Sequence, residues 1–161
     1  MERPFEVVHI TREIKSNFDT FTQKFEKLLG RFDQSLIKDI ESNPTEAQKR
    51  LKAAEGVEGL MLFEIQQHGK LLGIVGAARK AKQYVLGNPL IAIQMTRHDI
   101  RASLYAPLRM IVYEIEGHAV RAEYDLPSSL FGQFGNTEVT AVAKSLDSKL
   151  ENAISKAEAD V

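Results

Sequence analysis

The residues with the most chemical scope are four histidines, two adjacent serines and an aspartate at the end of a strand-like run. Asp125, Ser128 and Ser129 follow directly on Tyr124. A carboxylate near a hydroxyl can move a proton or activate a nucleophile. With a histidine such as His98, this set would serve a hydrolase or an isomerase. A plainer reading competes with it. Asp125 and Ser128 flank Pro127, and both are turn-forming residues whose side chains satisfy nearby backbone groups. The histidines are His9, His68, His98 and His118, and no two are spaced four apart on one helix. His68 and His98 fall at element ends. They are the expected ligands if the chain holds a metal or a non-covalent haem. Hydrogen-bonded structural or surface histidine is the simpler reading for all four.

The chain contains no cysteine. This excludes disulfides, thiolate nucleophiles, Cys-bound zinc, iron–sulfur clusters and covalent haem. Nucleophile-elbow, phosphate-loop, zincin and EF-hand motifs are also absent. Gly73, Gly76 and Gly87 lack dinucleotide-binding spacing. Two helix starts, Gly87-Asn88-Pro89 and Asn136-Thr137, could face an anion. Ordinary capping explains them as well. Arg79-Lys80-Ala81-Lys82, beside Tyr84, is the basic cluster. A net charge of −1 gives no long-range field for nucleic acid, so a solvated charge run is favoured.

Chemistry of this kind needs elements to position it. Phe5 to Arg12 reads as a first strand, apolar on both faces and therefore a candidate for the sheet centre. Ser16 is expected to cap a helix carrying Phe18, Phe21, Phe25, Leu28 and Leu29, with Gly30 just past its end. Ser35 to Ile40 looks helical. A thin-faced helix should run from Asn43-Pro44 to about Glu55. Leu60 to Gln66 reads as a buried strand. Residues 67–76 admit a hairpin or a helical turn, and Ala77 to Lys82 a short helix. Gln83 to Leu86 is a strand, and Asn88-Pro89 opens a helix through Leu90, Ile91 and Met95. A turn capped by Asp99 spans Ile100 to Leu104. Leu108–Ile115 and His118–Asp125 alternate around Glu116-Gly117, the pattern of an antiparallel hairpin. Leu126 to Gly135 reads as a loop with Leu130, Phe131 and Phe134, which need a burial partner. The last helix presents Val139, Val142, Ala143, Leu146, Leu150 and Ile154 on one face. The fold expected is α+β: a single mixed sheet with a C-terminal antiparallel hairpin and helices packed on it. Its length of 161 residues fits one domain, with the core over about 5–157.

Several stretches of the second half, taken in order, resemble the domain-of-unknown-function family 302. They are Gly87-Asn88-Pro89, His98-Asp99 through Leu104-Tyr105-Ala106-Pro107-Leu108-Arg109, Tyr113-Glu114, and the run from Tyr124 to Asn136. The resemblance implies a compact α/β domain that forms a homodimer. It carries over no catalytic residues. A homodimeric domain that binds a small apolar or anionic ligand without catalysis is the reading favoured here. Its expected ligand-facing residues are Asn88, His98, Tyr105, Arg109 and Tyr124. Asp125, Ser129, Gln133 and Phe134 join them from the run after the hairpin, which is expected to line the main functional surface. Cofactors are not required. Neither nucleic acid nor a membrane is an expected partner. The N-terminus lacks a signal-peptide pattern, and no apolar run approaches a membrane span, so a cytoplasmic location is expected.

Overall fold

A computed structural model describes residues 1–159. Six strands form one mixed sheet: β1 (His9–Ile14), β2 (Gly30–Arg31), β3 (Met61–Gln66), β4 (Ala81–Gly87), β5 (Leu108–Glu114) and β6 (Val120–Asp125). Their order is β1-β6-β5-β4-β3-β2. Only β2 and β3 are parallel; the other pairs are antiparallel. The helices are α1 (Phe18–Leu28), α2 (Pro44–Ala53), α3 (His68–Leu71), α4 (Pro89–Thr96), α5 (Pro127–Phe131) and α6 (Thr137–Glu158), with 3-10 turns between them. The architecture is α+β, as the element pattern predicts. No helix among the described residues is long and apolar enough to cross a membrane.

Period-two alternation decides which face carries the helices. Tyr84, Leu86, Met110, Val112, Ala122 and Tyr124 are buried. They pack against Phe21 and Phe25 of α1 and Leu146, Leu150 and Ile154 of α6 in one core. The alternate residues, including Arg109, Ile111, Tyr113, Glu123 and Asp125, are half-buried or exposed. That second face has no long helix over it.

Several expectations are corrected. The first strand starts at His9, and it lies at an edge, paired only with β6. Its outward residues Thr11 and Glu13 are exposed, so one face is polar, as an edge strand tolerates. Phe5, Val7 and Val8 belong to an arm before it. Asn17, one residue after Ser16, caps α1: its side chain accepts from Thr20 N–H at 2.9 Å. Ser16 Oγ is instead buried without a hydrogen-bond partner. Gly30 does lie just past the helix, directly after the Leu29 C-cap, and it also begins β2, its N–H donating to the Leu60 carbonyl at 2.9 Å. A Cβ on Gly30 would stand 1.9 Å from the Ala54 carbonyl oxygen, so only glycine lets β2 and the end of α2 approach this closely.

Residues 67–76 adopt helical turns, not a hairpin: α3 followed by a 3-10 turn over Leu72–Val75. The short helix expected over Ala77–Lys82 does not form. Ala81 and Lys82 belong to β4, where pairing with Tyr113 and Val112 outweighs local helix preference. The segment expected as a loop after Leu126 is helical: α5, then a 3-10 turn over Gly132–Phe134. Pro127 at the first position of α5 pre-sets its φ. Gly135, at φ 66°, ends the turn in a left-handed conformation that favours glycine. The final helix is capped by Asn136, whose side chain accepts from Glu138 and Val139 N–H.

Candidate functional site

Gly87 ends β4, and Asn88 turns the chain into α4. Asn88 is buried. Its Oδ1 accepts from Leu90 N–H at 2.8 Å, and its Nδ2 donates to Glu55 Oε1 at 2.7 Å and to the Gly59 carbonyl at 2.8 Å. This one side chain therefore fastens α4 to the end of α2 and to the turn before β3. Helix α4 reads Pro-Leu-Ile-Ala-Ile-Gln-Met-Thr, apolar on nearly every side. Such a helix is normally buried all round. Here only Met95 is fully buried, and Ile93 is exposed.

An apolar cavity of about 200 Å³ lies beneath it. Ile91, Ala92 and Met95 come from α4, Pro107 and Leu108 from the start of β5, and Phe131 and Leu146 from α5 and α6. The polar atoms of Asn88 are already hydrogen-bonded, so they leave the cavity apolar. It can take an aliphatic or aromatic group and has no means to polarise one.

On the other side of Asn88 and Ile91 lies a wider groove of about 720 Å³. Lys52, Arg97 and Lys149 line it, against the single carboxylate of Glu55. Lys52 pairs with Glu55 at 2.6 Å. Lys149 donates to the Glu58 carbonyl at 3.1 Å. Arg97 has no carboxylate partner among the described residues.

A third hollow, of about 320 Å³, brings together Tyr105, Arg109 and Asp125, with Leu104 and Leu130. Phe134 and Gln133 lie close by. Tyr105 packs on Phe134, and the Arg101 guanidinium sits 5.0 Å from the Phe134 ring centre. Gln133 accepts from Arg3 at 3.4 Å and donates to the Leu130 carbonyl.

The family model for the domain of unknown function DUF302 matches residues 37–157. The chain belongs to the DUF302 family. The match contains every cavity residue named above and omits β1, α1 and β2. The crystal structure of an uncharacterized conserved DUF302 protein from Bacillus stearothermophilus shares the fold, with a TM-score of 0.66 and 13% identity. The likeness covers 92% of this chain and 97% of that one. No curated protein matches the chain.

The remaining candidates of this DUF302 chain are spread out. His98 is exposed in the turn after α4 and makes no side-chain hydrogen bond with Asp125, Ser128 or Ser129. Ser129 Oγ accepts from Val8 N–H at 3.0 Å and donates to the Leu126 carbonyl at 2.8 Å, so it ties down the N-terminal arm. Ser128 donates its backbone N–H to Asp147. Tyr124 is in the core, its phenol pKa raised by burial. His68 contacts Gln66 at 3.2 Å. Among the described residues, no three His, Asp or Glu side chains converge as metal ligands.

Asp125 instead meets His9, a hydrogen-bonded surface histidine as the sequence suggested. The antiparallel register sets His9 opposite Asp125 and diagonal to Glu123. His9 Nδ1 lies 2.9 Å from Asp125 and Nε2 2.9 Å from Glu123. Tyr113 donates to the other oxygen of Glu123. Strand pairing alone exposes this cluster, and a linear sequence does not display it.

Hydrogen bonds donated to Asp125, then to Glu123, raise the His9 pKa above its ordinary 6.5. Bonds from Tyr113, then His9, lower that of Glu123 below 4.5. Stability gained from His9 is thus full below pH 6.5 and fades as pH rises through its raised folded value. Stability from Glu123 holds above pH 4.5 and fades as pH falls through its lowered folded value. With the His9 side chain 55% exposed, the effect should be small. An NMR titration should place the His9 midpoint above 6.5 and return it towards that value in Asp125→Asn. A midpoint at or below 6.5 would contradict this geometry.

The cavity residues Ile91, Met95, Pro107, Leu108 and Leu146 were not singled out as a site in the sequence. One signal was present. A helix apolar on nearly every side, capped by Asn-Pro and followed by arginines, has more apolar surface than one core contact can use.

Proposed function

We propose that this DUF302 chain is a non-catalytic, homodimeric domain that binds a small apolar-ended ligand at the Asn88 end of its sheet. The observation that carries the reading is the apolar cavity of about 200 Å³ under α4. An engineered cavity of about 150 Å³ with similar walls takes up benzene. Asp125 and the Ser129 hydroxyl are held in structural hydrogen bonds, and none of Asp125, Ser128 and Ser129 hydrogen-bonds to the His98 side chain.

The dimer reading is supported by a different surface. Leu71, Leu72, Ile74 and Val75 protrude with exposures of 57%, 38%, 86% and 74%. They stand beside the sheet face that carries only the short α3 and its 3-10 turn, where His68, Gly69 and Leu72 line a hollow with Ile111 and Tyr113. Clustered aliphatics of this exposure mark a protein contact. A second copy of the chain offers the same ridge and the same open face, as a two-fold interface requires.

Native mass spectrometry of protein purified without added ligand reads both parts. The expected result is a dimer carrying a retained small molecule. A bare monomer at tens of micromolar, roughly the range of a weak dimer, would contradict the proposal. A bare dimer would remove its ligand half.

A further inference from the structure

We infer that the ligand is an amphipathic anion, a short hydrocarbon chain or ring ending in a carboxylate or similar group. This rests on the proposal that the cavity under α4 binds a ligand. The added observation is the arrangement of the two adjoining spaces. Asn88 and Ile91 line both the apolar cavity and the wider groove. The two spaces adjoin at these residues, and a molecule with its apolar end against Ile91 and Met95 reaches the groove if its other end passes the Asn88–Ile91 edge.

The groove has the opposite chemistry to the cavity. Lys52, Arg97 and Lys149 face one carboxylate, Glu55, so two positive charges are left over. Glu55 is itself occupied, by Lys52 and by Asn88 Nδ2. The groove cations still available to an incoming group are then Arg97 and Lys149. The planar fork of Arg97 suits a carboxylate held by two parallel hydrogen bonds. The Lys149 ammonium retains donors beyond its single bond to the Glu58 carbonyl. A neutral chain would fill the cavity and leave the groove cations to water. An inorganic anion would meet the cations and leave the cavity unfilled. Only a molecule with both ends uses both.

The cavity also limits the tail. If about 150 Å³ holds a benzene ring, then about 200 Å³ holds roughly six to eight carbons.

The test is calorimetric titration of the full chain with octanoate, with 1-octanol and with inorganic phosphate. Each is run on the native chain and on the Arg97→Gln/Lys149→Gln double variant. Arg97 is exposed and Lys149 only half-buried, and far-UV circular dichroism checks that the variant folds. Octanoate should bind the native chain at least about tenfold more tightly than octanol. The double variant should lose that advantage, with octanol binding unchanged. Equal binding of octanoate and octanol to the native chain would overturn the anionic head and leave the apolar cavity standing. Phosphate binding as tightly as octanoate would overturn the coupling of head to tail. Binding of neither octanoate nor octanol would overturn this inference together with the ligand reading beneath it.

Discussion

Replacing Phe131 with alanine is expected to destabilise the fold by about 3–5 kcal/mol. Phe131 is fully buried. Its ring meets Tyr105 edge-on, with centres 6.3 Å apart, and it packs in the same core as Leu146 and Leu150 of α6. Alanine removes most of the ring, and the walls around it already border the apolar cavity under α4. The site therefore cannot collapse fully, which puts the cost towards the upper part of the range. For a chain of this size the melting temperature should fall by roughly 6–20 °C. Ser129→Ala gives the comparison within the same short segment. It loses two hydrogen bonds to the N-terminal arm and the α5 turn, worth about 1–3 kcal/mol together. A melting temperature unchanged in Phe131→Ala would mean that α5 does not plug the core.

The second large effect is expected at Leu146. This residue is 4% exposed on the sheet-facing side of α6, and it also lines the cavity. Leu146→Ala should cost about 2–5 kcal/mol. It should also enlarge the apolar space, so a small apolar additive has more room to bind. A ligand that binds only the folded form stabilises it by mass action. Benzene or 1-hexanol should therefore raise the melting temperature of Leu146→Ala more than that of the native chain. Destabilisation without any such rescue would show that the variant closes over its void.

The two sites also show how much was legible in the sequence. The helical spacing of Val139, Leu146, Leu150 and Ile154 announced α6 and its buried face. Alternation around Glu116-Gly117 announced the β5–β6 hairpin. Asn88-Pro89 announced the start of α4. These signals are local, and the structure agrees with them. The errors arose where a partner outside the local segment decides the outcome. Ala77 to Lys82 has helix-forming composition, but β3 and β5 offer β4 two ladders. The glycines of 126–135 suggested a loop, whereas Pro127 starts α5 and Gly135 only ends the turn after it. The first strand was apolar enough to look central, but its polar outer residues suit an edge.

The candidate site was legible only in part, for the same reason. Asn88 and Phe131 were flagged for their own chemistry, as a cap and as an apolar residue needing cover. Their neighbours Ile91, Met95, Pro107, Leu108 and Leu146 are ordinary apolar residues. They become a site only because α4, α5, α6 and the start of β5 converge without filling the space between them. The clustering of His9 with Asp125 and Glu123 likewise depends on the register of two strands far apart in sequence.

The most direct test of the account is a methyl NMR titration of the native chain with benzene. The expected result is a saturable shift of the Ile91, Ala92 and Met95 methyl signals, with those of Leu72 and Ile111 on the open sheet face unmoved. No shift at millimolar benzene, or shifts confined to the open face, would contradict the claim that the cavity under α4 is where this protein takes its ligand.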